Sequence, residues 1–142
     1  MRFPEAEVRP VSRSAGGVRG IRLRGDDRVV GSCAVGEGET VVVAHELPYA
    51  KRLRVDELPA QARGGTGIRA ARVVPSRGGL AAVSSLADRM TFVTADNGTA
   101  TVEATAIKLA ARDASGSRFP GVPETERLVR VLPAPAPRAE PG

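Results

Sequence analysis

The side chains with most chemistry to offer lie between Lys51 and Arg77. Seven bases stand there, Lys51, Arg52, Arg54, Arg63, Arg69, Arg72 and Arg77, against Asp56 and Glu57, a local net charge of +5. Residues 29–50 hold three acids and no lysine or arginine, and residues 88–142 balance to zero. Guanidinium groups clustered this way suit phosphates, which they grip through paired N–H donors. Gly64-Gly65-Thr66-Gly67 adds a loop whose N–H groups can approach an anion with few Cβ atoms in the way. If Lys51 to Val55 is a strand, its alternation puts Leu53 and Val55 on one face and Arg52 and Arg54 on the other, facing solvent. The chemistry expected is therefore phosphate binding, with strong salt dependence and little reading of bases.

Catalytic groups are sparse. His45 is the only histidine, and His45-Glu46-Leu47-Pro48-Tyr49 lacks the second histidine of a zinc-binding His-Glu-x-x-His, so a surface or turn residue is expected. There is no Gly-x-Ser-x-Gly elbow and no phosphate-binding Gly-x-x-x-x-Gly-Lys-Ser/Thr loop. Tyr49, the single tyrosine, suits packing or a strand surface, and Cys33, alone and unable to pair within the chain, suits a small buried position in a reducing compartment. No cofactor or metal is expected.

These groups must be held by a chain of 142 residues, enough for one domain, with 42% hydrophobic but only 3% aromatic content. The 21 basic and 16 acidic residues leave a net charge of +5, which favours a polyanionic partner. Apolar residues come in short runs bounded by Gly, Pro, Asp or Asn, the pattern of an antiparallel all-β protein. The runs are Ile21–Leu23, Val29–Val35, Thr40–Ala44, Leu53–Val55, Ile68–Val74, Leu80–Val83, Thr91–Thr94 and Leu128–Leu132. Only Ala50–Arg63, interrupted by Pro59, and Thr101–Arg112 are compatible with helix. Asn97-Gly98-Thr99 reads as a turn, and residues 133–142, Pro-Ala-Pro-Ala-Pro-Arg-Ala-Glu-Pro-Gly, as a disordered tail. Without a signal peptide or an apolar span of membrane length, a cytoplasmic location and no membrane partner are expected.

An internal repeat organises the rest. Arg13-Ser14-Ala15-Gly16-Gly17-Val18-Arg19-Gly20 aligns with Arg63-Gly64-Gly65-Thr66-Gly67-Ile68-Arg69-Ala70 fifty residues on, and a looser copy starts at Arg112. Glu39–Ala44 aligns with Arg89–Thr94. A period near 50 with about four strands per unit is that of propeller blades. Two to three four-stranded units are expected, over residues 1–38, 39–88 and 89–132. Arg13 and Arg112, at equivalent positions, are candidates for bonding carbonyls at a blade junction.

The sequence Gln61-Ala62-Arg63-Gly64-Gly65-Thr66-Gly67 resembles the Gln-Arg-Arg-Gly-Gly-Lys/Arg-Gly box of the C-terminal domain of the DNA gyrase A subunit. Pro48-Tyr49-Ala50-Lys51-Arg52 is similar to that family's Gly-Tyr-Gly-Lys-Arg, and Arg13 to Gly31 resembles its repeat start. The resemblance spans about residues 2–132. It implies a partial β-pinwheel, a propeller variant, of a type IIA topoisomerase A subunit, gyrase-like or topoisomerase IV-like, that wraps or guides double-stranded DNA without catalysis. The remainder of the A subunit, together with the ATPase B subunit, would be the partners in an ATP-dependent enzyme, and the location would be nucleoid-associated. Gln61, Arg63, Gly64, Gly65, Gly67, Lys51, Arg52, Arg54, Arg69 and Arg72 are the candidate DNA contacts. Ala62 and Thr66 replace two basic box positions, which favours a topoisomerase IV-like or decayed subunit. The few repeat units, with Met1 inside a blade, suggest a C-terminal fragment or a truncated reading frame. A degenerate propeller piece serving protein interaction, and a nonfunctional truncation, are the alternatives.

Overall fold

A computed structural model describes residues 1–135, 139 and 141. Among the described residues the β-rich pattern becomes seven strands: β1 (Thr40–His45), β2 (Tyr49–Arg54), β3 (Leu80–Ser85), β4 (Arg89–Thr94), β5 (Thr99–Glu103), β6 (Ser117–Arg118) and β7 (Leu128–Pro133). They form two antiparallel sheets, one of four strands in the order β3-β1-β2-β6 and one of three in the order β5-β4-β7.

The four-stranded sheet is apolar on both faces, as an internal layer must be. Val41, Val43, Leu53 and Val55 pack with Ala71 on one side, against Val35, Leu58 and Ala70. Val42, Ala44, Ala50 and Ala82 share a second cluster with Met90, Phe92 and Val102 of the other sheet, closed by Ile107, Phe119, Val122, Leu128 and Val131. Phe92 and Phe119 stack there with centroids 4.2 Å apart, a pairing that adds about 0.5–1.5 kcal/mol beyond the area it buries.

Three single 3-10 turns, Glu5–Glu7, Val55–Glu57 and Ala104–Ala106, recur at intervals of 50 and 49 residues. The second and third sit inside the two segments whose sequence is compatible with helix, which are instead extended chain around one short turn. Ala50–Arg63 holds most of β2, and Thr101–Arg112 holds the second half of β5. The expected turn is present: Asn97 adopts φ 67°, its N–H donates to the Thr94 carbonyl at 3.0 Å, and β4 reverses into β5.

Three expected strands are absent among the described residues. Ile21–Leu23 and Val29–Val35 lie in a segment, residues 8–39, with seven glycines and no strand neighbour to close a ladder. Ile68–Val74 contributes only an isolated bridge from Val74 to Gly78. Cys33, expected to be buried, is exposed for the same reason. Its thiol is nonetheless raised above the ordinary range, by partial desolvation and then by Glu39.

The repeat alignment needs a one-residue correction. The Val55 N–H donates to the Glu39 carbonyl and the Ala104 N–H to the Asp88 carbonyl, so the strand equivalence runs at 49 residues. Val42 then corresponds to Thr91, not Phe92. A slip of one exchanges the faces of a strand. The tail falls partly outside the described residues. Its first residue, Pro133, belongs to β7, and the Ala134 N–H donates to the Arg89 carbonyl at 2.9 Å.

Candidate nucleic-acid interface

The box lies in a loop that docks on residues 19–22. The Gln61 N–H donates to the Arg2 carbonyl at 2.8 Å, Gly64 to Gly20 at 2.7 Å, and Arg22 to Gly65 at 2.8 Å. Arg63 is drawn inward: its N–H meets the Glu7 carboxylate at 2.7 Å and its guanidinium donates to the Arg19 carbonyl at 2.6 Å. Gly64 and Gly67 have φ of 85° and 75°, angles that L side chains rarely adopt. A Cβ on Gly67 would also meet Met1 at 3.2 Å, so that glycine serves chain packing as well as the turn. Arg63 and Gly64 form a tight turn, and among the described residues the N–H groups of Thr66 and Gly67 have no acceptor.

The same arrangement recurs one unit on. The Arg112 N–H meets Glu57 at 2.6 Å and its guanidinium reaches the Arg69 carbonyl at 2.9 Å, while the Arg72 N–H donates to Ala114 at 3.1 Å. Arg112 is thus a junction residue as expected, and Arg63 is its counterpart. Arg2 caps the carbonyls of Val55 and Leu58, at 3.3 and 2.9 Å, as Arg52 Nε caps Ile107 at 2.6 Å. Arg13 is exposed instead.

Lys51 is a correction. Expected to face phosphate, it is 0% exposed, and its ammonium donates to the carbonyls of Ala111, Arg112 and Ala114 at 2.7, 3.1 and 2.8 Å. Alternation places it beside Leu53 on the apolar face. Burial pulls its pKa below the ordinary lysine value; Glu57 and Asp113 oppose the fall and Arg112 adds to it. Arg52 is half-buried, spent partly on its carbonyl. Gln61 is also turned inward, its Oε1 buried without a partner.

His45 is a second correction: neither surface nor turn, it is fully buried in β1. Its Nε2 accepts the Gly116 N–H at 3.0 Å and its Nδ1 faces the Gly78 carbonyl at 3.3 Å, which fixes a neutral ring with the proton on Nδ1. Burial, the largest influence, lowers its pKa; the Gly78 bond opposes this, and Arg77 and Lys51 add to it. Tyr49 is half-buried under the Arg77 guanidinium, 5.1 Å from the ring centre. Among the described residues no group of three or more metal-ligating side chains exists, and no helix is long and apolar enough to cross a membrane.

Among the exposed cations, one pair is repeated at fifty residues. Arg19 and Arg22 flank the docked box loop, Arg69 and Arg72 flank the Arg112–Ser115 loop, and all four are exposed. Each pair has main chain tied into the junction below it, while among the described residues the four guanidinium groups have no hydrogen-bond or carboxylate partner. Arg54 is exposed in the same way. Sequence reasoning singled out Arg69 and Arg72 and missed Arg19 and Arg22. The repeat held the signal, since Arg19 aligns with Arg69 and Arg22 with Arg72.

The profile of the family described as "DNA gyrase C-terminal domain, beta-propeller" matches residues 1–32 and 49–86. The DNA gyrase A subunit of Dehalogenimonas lykanthroporepellens is 44% identical over 80 residues, 56% of this chain and 10% of that protein. That of Streptomyces coelicolor is 32% identical over 126 residues, 87% of this chain and 15% of that protein. The chain therefore spans a small part of the gyrase proteins it matches. Among solved structures, the C-terminal domain of DNA topoisomerase IV aligns with a TM-score of 0.79 at 23% identity, over 92% of this chain and 42% of that one. The DNA gyrase A C-terminal domain aligns with a TM-score of 0.81 at 23% identity, over 91% and 45%. With the 50-residue junctions, the glycine box and the all-β pinwheel architecture in agreement, the chain shares its fold with the topoisomerase IV C-terminal domain and belongs to the C-terminal β-propeller family of the DNA gyrase A subunit.

Proposed function

We propose that this chain is a DNA-binding segment of a type IIA topoisomerase A subunit, holding duplex DNA by its phosphates and performing no chemical step itself. The observation that carries the reading is the repeated arginine pair, Arg19/Arg22 and Arg69/Arg72, with anchored main chain and free guanidinium groups. Arg54 and the N–H groups of Thr66 and Gly67 extend the surface. Lys51, Arg52, Arg63 and Gln61 act beneath it by fixing the loops that carry the free cations. Across repeat units over residues 1–38, 39–88 and 89–132, two such loops each dock on the preceding unit, the box loop on residues 19–22 and the Arg112–Ser115 loop on residues 69–72, and wrapping along this row bends the DNA. A smooth bend of a 20–30 bp site costs on the order of 1–6 kcal/mol, which several phosphate contacts offset. The protein partners of this reading are the remainder of the A subunit, together with the ATPase B subunit; its location is the nucleoid.

Duplex binding should weaken steeply between about 50 and 200 mM salt, by close to one unit of log-log slope per phosphate neutralised. Replacing Arg19, Arg22, Arg69 and Arg72 by Ala should lower that slope by about 3–4. An unchanged slope would overturn the assignment. A folded chain that binds no duplex at about 50 mM salt would instead favour a protein-interaction module.

A further inference from the structure

Each copy of the repeated arginine pair is followed at once by an exposed aliphatic residue. Leu23, after Arg22, is 42% exposed, and Val73, after Arg72, is 56% exposed. Among the described residues that are large, apolar and exposed, this is the one pair that stands fifty residues apart. Exposed apolar residues scattered singly are ordinary, whereas a repeated position beside a repeated cation marks a shared role. Beyond it the two copies part company, with Arg24 against Val74, Gly25 against Pro75 and Asp26 against Ser76.

The residue before each of them is anchored. The Arg22 N–H donates to the Gly65 carbonyl at 2.8 Å and the Arg72 N–H to the Ala114 carbonyl at 3.1 Å, so Leu23 and Val73 leave the junction at the same point. Their surroundings are cationic. Residues 19–28 hold four arginines against two aspartates, and residues 69–77 hold three arginines and no acid. A partner for such a surface must bring negative charge and apolar area together, and a nucleic-acid strand does so. Along each strand a sugar stands between successive phosphates, so a side chain beside two phosphate-binding guanidinium groups meets the carbon face of a sugar. Contacts to phosphate and sugar together fix the position of a protein on a duplex. Deoxyribose offers an aliphatic side chain only C–H groups to cover at that carbon. Ribose carries the 2′-hydroxyl there, which leucine or valine would strip of water without replacing its hydrogen bond.

We propose that Leu23 and Val73 are sugar-contact residues that make this surface prefer a DNA duplex to an RNA duplex, the arginine pairs supplying the grip and the aliphatic pair the choice of sugar. The inference rests on the DNA-binding reading above and names the feature by which that site selects its polymer.

The test uses the full chain with a DNA duplex and an RNA duplex of equal sequence and length, at about 50 mM salt. The parent chain should bind DNA at least about tenfold more tightly. Leu23→Asn with Val73→Thr keeps side-chain size at two exposed positions and should retain the native circular dichroism. It should lose about tenfold on DNA and less than about twofold on RNA, so that the preference collapses. The salt slope on DNA should stay that of the parent, because no phosphate contact is lost. Leu23→Ile with Val73→Leu, which remains apolar, should keep the preference. A preference due to duplex shape alone would survive in the polar double variant. If that variant binds both duplexes as the parent does, or weakens both equally, the inference is overturned and the arginine surface stands. A salt slope that falls along with the affinity also overturns it, since the two side chains would then act by placing the arginines. A parent chain that binds neither duplex overturns the DNA-binding reading itself, and the inference with it.

Discussion

Lys51 shows how one buried charge joins two repeat units. All three of its protons are committed to carbonyls of the loop from Ala111 to Ala114. Lys51→Met keeps most of the side-chain length and leaves three acceptors unpaired, which should lower stability by about 2–4 kcal/mol in a urea melt. Arg54→Ala, at an exposed site, should change it by less than about 0.5 kcal/mol. His45 acts through its proton count. Its folded pKa lies below the unfolded value near 6.5. The unfolded chain therefore takes up the proton first, and the stability His45 contributes is present above about pH 6.5 and lost as pH falls through the lower folded value. His45→Gln should flatten that acid slope relative to the parent chain in melts run from pH 7 to pH 5. Neither role was legible in the sequence. Charge and polarity suggest surface, and only the register reveals that Lys51 shares a face with Leu53 and that His45 faces a glycine N–H.

Strands that meet a central ladder were the readable elements. Thr40–Ala44, Leu80–Val83, Thr91–Thr94 and Leu128–Leu132 all became strands because β1 and β4 supply the central ladders. Val29–Val35 has the same apolar character and no ladder, so propensity alone did not decide its state. β6, two residues long, carries no pattern to read; it pairs Tyr49 with Arg118 and Ala50 with Ser117. What admits it is Gly116, where an added Cβ would come within 2.9 Å of the Ala50 backbone. That backbone belongs to a paired strand and cannot give way, so Gly116→Ala should cost at least about 1–3 kcal/mol. Loss of the Gly116 amide's protection in hydrogen exchange should accompany it. The box shows a partial success: its glycines mark a special loop as expected, while its arginine turned out to face inward.

For the molecule as a whole, the two sheets share one apolar cluster and the Lys51 joint, whereas residues 8–39 have no strand among the described residues. Opening should follow that difference. Native-state hydrogen exchange is expected to release amides of residues 8–39 first and those of β1 and β4 last, in one cooperative step. Separate release of β1 and β4 would show that the joint does not couple the sheets. The 50-residue period made the architecture legible at this scale, because stacked units must repeat their contacts. The identity of the cations left exposed was less so, since a side chain's type does not say whether a junction has already claimed it.

The junctions have one more property. Arg2, Lys51, Arg52, Arg63 and Arg112 all grip main-chain oxygens, and Glu7 and Glu57 accept main-chain N–H groups. A fastening that recognises only backbone is blind to the side chains riding on the loop it holds. Successive copies are therefore free to diverge on their outer surface while their mutual angle is inherited unchanged, and a gene that duplicates or deletes one unit still encodes matching joints.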